Sequence, residues 1–107
     1  MATKPRDFNE LLLQAVDETL NSLGTTISQC IYTQLKNQYN LNPQDIPLKI
    51  SEFQQGIEEI FGIGAQFIEI SIIQNLFAKT ELPAVLKKAE NLEFVEYINL
   101  SRRRFKA

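Results

Sequence analysis

Apolar residues recur at three- and four-residue spacing along almost the whole chain, and the recurrence breaks where glycines fall, which restricts the fold to short helices packed on one another. Asp7 followed by Glu10 is close to a capping box, and Phe8, Leu12, Ala15, Val16, Leu20 and Leu23 then mark a first helix that Gly24 stops in a left-handed conformation. Thr25 or Thr26 restarts the chain, with Gln29 three residues after Thr26, and Ile27, Ile31, Leu35 and Tyr39 define one face of a second helix. A connection of one or two residues forces a sharp turn between the two. Residues 40–47 are turn-rich, with Asn42 and Pro43 suited to open one short helical turn and Ile46 expected to plug back into the core.

A third helix is expected over residues 48–61, with Ile50, Phe53, Ile57, Ile60 and Phe61 inward and Glu52, Gln55, Glu58 and Glu59 outward, ending at Gly62. The fourth, over about residues 64–79, is apolar over most of its circumference and is expected to be central, surrounded by the others. Its small or polar strip, Gly64, Ser71, Asn75 and Ala78, leaves room for a close neighbour. Leu82, Val85, Leu86 and Ala89 suggest a short helix after Thr80. Residues 92–98 are rich in β-favouring types, but no other segment offers a strand to pair with, so they are read as a helix capped by Asn91. The expectation is an all-α fold: a single domain, residues 1–107, forming a compact orthogonal bundle of about five short helices around a central apolar helix, with a basic C-terminal tail at 101–107.

With 107 residues and 44% hydrophobic composition, one core of this size buries roughly two thirds of the unfolded chain's surface. No disulfide or metal is required. The single cysteine, Cys30, lies inside a helical pattern and reads as an inert, buried hydrophobe in a reducing cytoplasm. No stretch approaches ~18 uninterrupted apolar residues, and the first six residues lack a signal-peptide core, so a cytosolic protein with no membrane span is expected.

Histidine is absent, which removes the commonest acid-base and metal-binding group and argues against an enzyme. No catalytic, cofactor-binding or metal-ligating residue is assigned. In Phe61-Gly62-Ile63-Gly64-Ala65, Gly62 takes a left-handed cap and Gly64 lets the fourth helix leave at a sharp angle. No strand precedes this turn and no Lys-Ser/Thr follows, so nucleotide binding there is disfavoured. Glu69 falls between Ala65, Ile72, Ile73 and Leu76, in the middle of an apolar face, and must be a buried or interface carboxylate that is paired, protonated or snorkelled. Tyr32, Lys36 and Tyr39 are its expected partners. Asp17-Glu18 and Glu58-Glu59 are adjacent helical residues pointing about 100° apart and read as solvated faces.

The net charge is −2, yet residues 101–107 hold four positive charges and no negative one. Arg102, Arg103, Arg104 and Lys106 are candidate contacts for an anionic partner, against the plainer reading that cations complement a helix C-terminus. A helix-turn-helix reading of the second and third helices fails on charge, because the would-be recognition helix offers Lys49 against Glu52, Glu58 and Glu59.

Leu20-x-x-Leu23-Gly24, Ile31-Tyr32-x-x-Leu35, Ile46-Pro47-x-x-Ile50-x-x-Phe53 and Ile60-Phe61-Gly62-x-Gly64-Ala65, with Glu69 following, resemble a small archaeal all-helical family. That family occurs as stand-alone proteins and as the output part of some archaeal response regulators. The resemblance spans residues 8–79, names no active site and implies a biochemical function that is unknown. The leading expectation is a non-enzymatic protein-interaction or dimerisation module in signalling or regulation, working as a homodimer and engaging a signalling protein. Two alternatives stand beside it: a nucleic-acid-associated regulator using the basic tail, and a carrier of a small apolar ligand walled by Phe53, Phe61, Phe67 and Phe77.

Overall fold

The computed structural model describes residues 7–80 and 93–105, and over these it is an all-α bundle of five helices with no strand. Helix α1, Phe8–Asn21, opens on Asp7, whose side chain accepts the Glu10 N–H at 2.8 Å. This satisfies one of the N–H groups a helix start leaves unpaired. Its inward face, from Phe8 through Leu12 and Val16 to Leu20, lies in the core.

Gly24, at φ 116° and ψ 142°, joins α1 to α2, Thr25–Tyr39. The positive φ expected there is present, in an extended rather than a left-handed helical conformation. Helix α2 buries only Ser28, Ile31 and Leu35, a narrower face than the periodicity suggested. Ile27 is 48% exposed and Cys30 is exposed, against the expectation that both lie inside. The i, i+3, i+7 line through Ser28 fixes which way α2 faces, and Cys30 projects about 100° away from Ile31.

Asn42 caps a 3-10 turn, Pro43–Leu48, and Ile46 fills the core as expected. Helix α3, Ile50–Phe61, buries Ile50, Phe53, Gly56 and Ile57 and leaves Glu52, Glu58 and Glu59 in solvent. Gly56 was not singled out by the sequence pattern, yet a Cβ there would lie 2.5 Å from Leu35 Cδ2, so α3 meets α2 through this missing side chain.

A short 3-10 turn, Gly62–Gly64, separates α3 from α4, Ala65–Thr80. Helix α4 packs on α1, α3 and the last helix, but it is not enclosed: Phe67 is 73% and Ile70 50% exposed. The expected all-round burial is corrected, because a bundle of this size has no layer left to cover a fourth face. Asn75 Nδ2 donates to Thr19 Oγ1 at 2.8 Å, so the close neighbour of the small-residue strip is α1. Taken together, Ile50–Thr80 contains an 18-residue window of mean hydropathy 1.4, apolar enough by length and composition to cross a membrane. The Gly62–Gly64 turn divides the run, and its apolar residues serve both the core and the open face of α4.

Helix α5, Phe94–Arg104, shows that the β-favouring segment is helical. Its cap is Glu93 rather than Asn91, with Glu96 Oε1 accepting the Glu93 N–H at 3.0 Å in a reciprocal capping box. Asn91 and the expected short helix near Leu82 to Ala89 lie outside the described residues. Ser101 to Arg104 form the last turn of α5 rather than a tail, with Ser101 fully buried.

Candidate functional site

The basic run divides once it is folded. Arg102 turns inward: it donates to Pro47 O at 2.6 Å and to Asn9 Oδ1 and Asn99 Oδ1 at 3.0 Å, and sits 5.2 Å from the Phe8 ring centroid. Those contacts clamp α5 to α1 and to the 3-10 turn. Burial lowers the pKa of Arg102 from its ordinary value, as expected for a cation held by neutral groups. Arg102 therefore serves the fold rather than an anionic partner. Arg103 and Arg104 are exposed, and Lys106 lies outside the described residues. The expected aromatic ligand walls also separate. Phe53 is fully buried against Phe94, with ring centroids 6.3 Å apart, whereas Phe67 faces solvent.

What the structure brings together lies on α4. Phe67, Ile70, Gln74 and Phe77 follow one another at spacings of three and four, which places them in one stripe along the helix, and Ile63, in the Gly62–Gly64 turn, precedes them. Ile63 is 93% exposed at its N-terminal end. On the α1 side of the stripe lie Gly64, Ser71 and Ala78; on the other side lie Glu69 and Ile73. The stripe and both flanks carry one charged residue, Glu69.

Beside the stripe, α3, α4 and the start of α5 form a groove of about 620 Å³. Ile73 and Phe77 contribute its apolar wall, Phe77 meeting Tyr97 edge to face with ring centroids 6.4 Å apart. Glu58, Glu69 and Glu93 supply its polar side. Two of the expected helix-α2 partners of Glu69 are engaged elsewhere: the Tyr32 hydroxyl donates to Asp17 at 2.9 Å, and that of Tyr39 to Glu59. Glu69 is half-buried and its Oε2 has no hydrogen-bond partner. Burial raises its pKa from 4.5 to about 7, and Glu58 and Glu93 push the same way while a Gln54 hydrogen bond opposes them. Among the described residues, no group of three or more acidic or Cys side chains is placed to hold a metal ion.

This carboxyl has a consequence for stability. Between pH 4.5 and about 7 the folded chain holds a proton at Glu69 that the unfolded chain has released, so this group lowers stability as pH rises through that window. Glu69→Gln should therefore be more stable than the wild type at pH 8, by about 1 kcal/mol after solvent screening is allowed for, and no different at pH 4. Urea unfolding at the two pH values measures this. A constant offset between the two proteins would show that Glu69 does not titrate in this window.

Comparison of the chain with protein-family models, with curated proteins and with solved structures gives no match.

Proposed function

We propose that this protein is a non-enzymatic interaction module that dimerises through the open face of α4. The observation that carries the reading is the exposed run of Ile63, at the entry of α4, and Phe67 and Ile70 on it, three large apolar side chains left in solvent. A second copy suits it on two grounds. The stripe itself is uncharged, so two copies meet without like-charge repulsion. Gln74 supplies a polar seam position of the kind that fixes register. Covering these side chains in both copies contributes on the order of 10 kcal/mol gross against ~4–15 kcal/mol lost in association, so at the lower end of that cost a dimer of about 10–100 μM affinity is expected. A role in signalling or regulation agrees with a module that offers surface rather than chemistry.

Sedimentation equilibrium tests this. The wild type should pass from monomer to dimer across the micromolar range, and Ile63→Ser/Phe67→Ser should remain monomeric with an unchanged helical spectrum. A wild type that stays monomeric to millimolar concentration overturns the dimer. Flotation of the wild type, but not of the variant, with phosphatidylcholine vesicles assigns the face to lipid instead.

A further inference from the structure

The groove on the other flank of α4 has a different character from the stripe beside it. Three carboxylates reach it from three places in the fold: Glu58 from α3, Glu69 from α4 and Glu93 from the cap of α5. Among the described residues no Lys or Arg lines it. Glu69 Oε2 is withdrawn from solvent without a donor, which leaves an acceptor unanswered where the apolar wall of Ile73 and Phe77 begins. A space of about 620 Å³ is far larger than one ion needs and accommodates several side chains.

We infer that this groove docks a basic amphipathic helix of another protein, its apolar side chains against Ile73 and Phe77 and a Lys or Arg side chain paired with Glu69 and Glu58. Charge complementarity selects the occupant. Three carboxylates repel an acidic peptide or an anionic lipid headgroup. A second copy's α4 cannot supply the cation either, because the one basic residue on that helix, Lys79, is paired with Glu18 at 2.6 Å. The raised pKa of Glu69 agrees with a carboxyl that awaits a counter-charge. Laying an apolar helix face into such a groove is an established mode of peptide recognition, with affinity from the apolar anchors and selectivity from the rim.

This inference adds a partner to the interaction-module reading and is separable from dimerisation. Ile70, Gln74 and Phe77 border both surfaces, but Ile63 and Phe67 belong to the stripe alone and Glu58 and Glu69 to the groove alone, so substitutions at the two pairs tell the surfaces apart.

The probe is a fluorescein-labelled helical peptide of about 18 residues with Leu on one face and Lys on the other, set against the same peptide with Glu in place of Lys. Fluorescence anisotropy should give a saturable, salt-sensitive micromolar Kd for the Leu/Lys peptide and none for the Leu/Glu peptide. Glu58→Gln/Glu69→Gln, with its helical spectrum checked, should weaken the Leu/Lys peptide about 10-fold or more. Ile63→Ser/Phe67→Ser, which leaves the groove lining intact, should bind it at least as tightly as the wild type. The inference is overturned if the Leu/Lys peptide fails to saturate below about 1 mM, if both peptides bind alike, or if the double glutamine variant binds undiminished. It is equally overturned if Ile63→Ser/Phe67→Ser abolishes binding, because the peptide would then occupy the stripe.

Discussion

Gly56→Leu should lower the stability of the folded protein by about 3 kcal/mol or more, the largest effect expected of any single glycine substitution in this chain. Gly56 is buried in the middle of α3, and even a bare Cβ there would stand 2.5 Å from Leu35 Cδ2 and 3.3 Å from the Tyr39 ring. Leu35 is fully buried, so its methyl has nowhere to withdraw without disturbing the face of α2. A helix interior gains about 1 kcal/mol on replacing glycine by a better helix former, which offsets the clash of a single methyl in part. It cannot offset a whole isobutyl group. The cost also falls on Tyr39, whose hydroxyl hydrogen-bonds Glu59 across the same α2–α3 contact. Urea unfolding with matched m-values reads this directly. If Gly56→Leu unfolds within 1 kcal/mol of the wild type, α2 yields easily and the close approach at Gly56 does not hold the two helices together.

The dimer stripe and the acidic groove rest on a single structural fact: α4 is apolar around most of its circumference and the bundle covers only part of it. Ala65, Ile68, Ile72 and Leu76 satisfy the core. Phe67 and Ile70 are then surplus to folding, and solvent exposure of a phenylalanine and an isoleucine in one line is a feature that a partner would relieve.

The helices and their breaks were legible in the sequence because both are local. Apolar spacing gives the helix, and a glycine of positive φ turns the chain after it, as at Gly24 and Gly62, although α1 already ends at Asn21 and neither glycine takes the left-handed helical torsions expected of a cap. The β-favouring stretch at residues 92–98 was resolved as helix by the absence of a strand to pair with, and the Glu93/Glu96 capping box supplies the local cause. What could not be read was direction. On α2 the apolar line through Ile27 and the buried line through Ser28 are one residue apart, and only packing against α1 and α3 chooses between them. On α4, apolar nearly all round, no hydropathy difference says which side is inward, although the alternating three- and four-residue spacing of Phe67, Ile70, Gln74 and Phe77 marks a seam by itself. Arg102 was unreadable for another reason. Its partners Pro47 and Asn9 are 55 and 93 residues away, and nothing within the basic run separates it from Arg103.

The turn between α3 and α4 yields the other large effect, and one that isolates backbone strain. Gly62 sits at φ 59° and ψ −131°, the mirror image of the relaxed polyproline region, which L-residues avoid because Cβ collides with neighbouring backbone atoms. A Cβ built there meets nothing within 4 Å, so no tertiary clash contributes. Gly62→Ala should therefore cost about 2 kcal/mol, purely through the torsions, with the restricted unfolded chain returning up to about 1 kcal/mol of a larger strain. Gly64 lacks a positive φ, and the nearest atom to its Cβ would be Phe61 Cβ at 3.8 Å, an ordinary contact. Gly64→Ser should then be neutral within about 0.5 kcal/mol. Thermal unfolding of the two variants side by side tests the account. Should Gly64→Ser prove the more damaging, the turn is held by close packing at Gly64 rather than by the conformation of Gly62. The entry of α4, and with it the placement of Ile63 and Phe67 on the open face, would then depend on that contact.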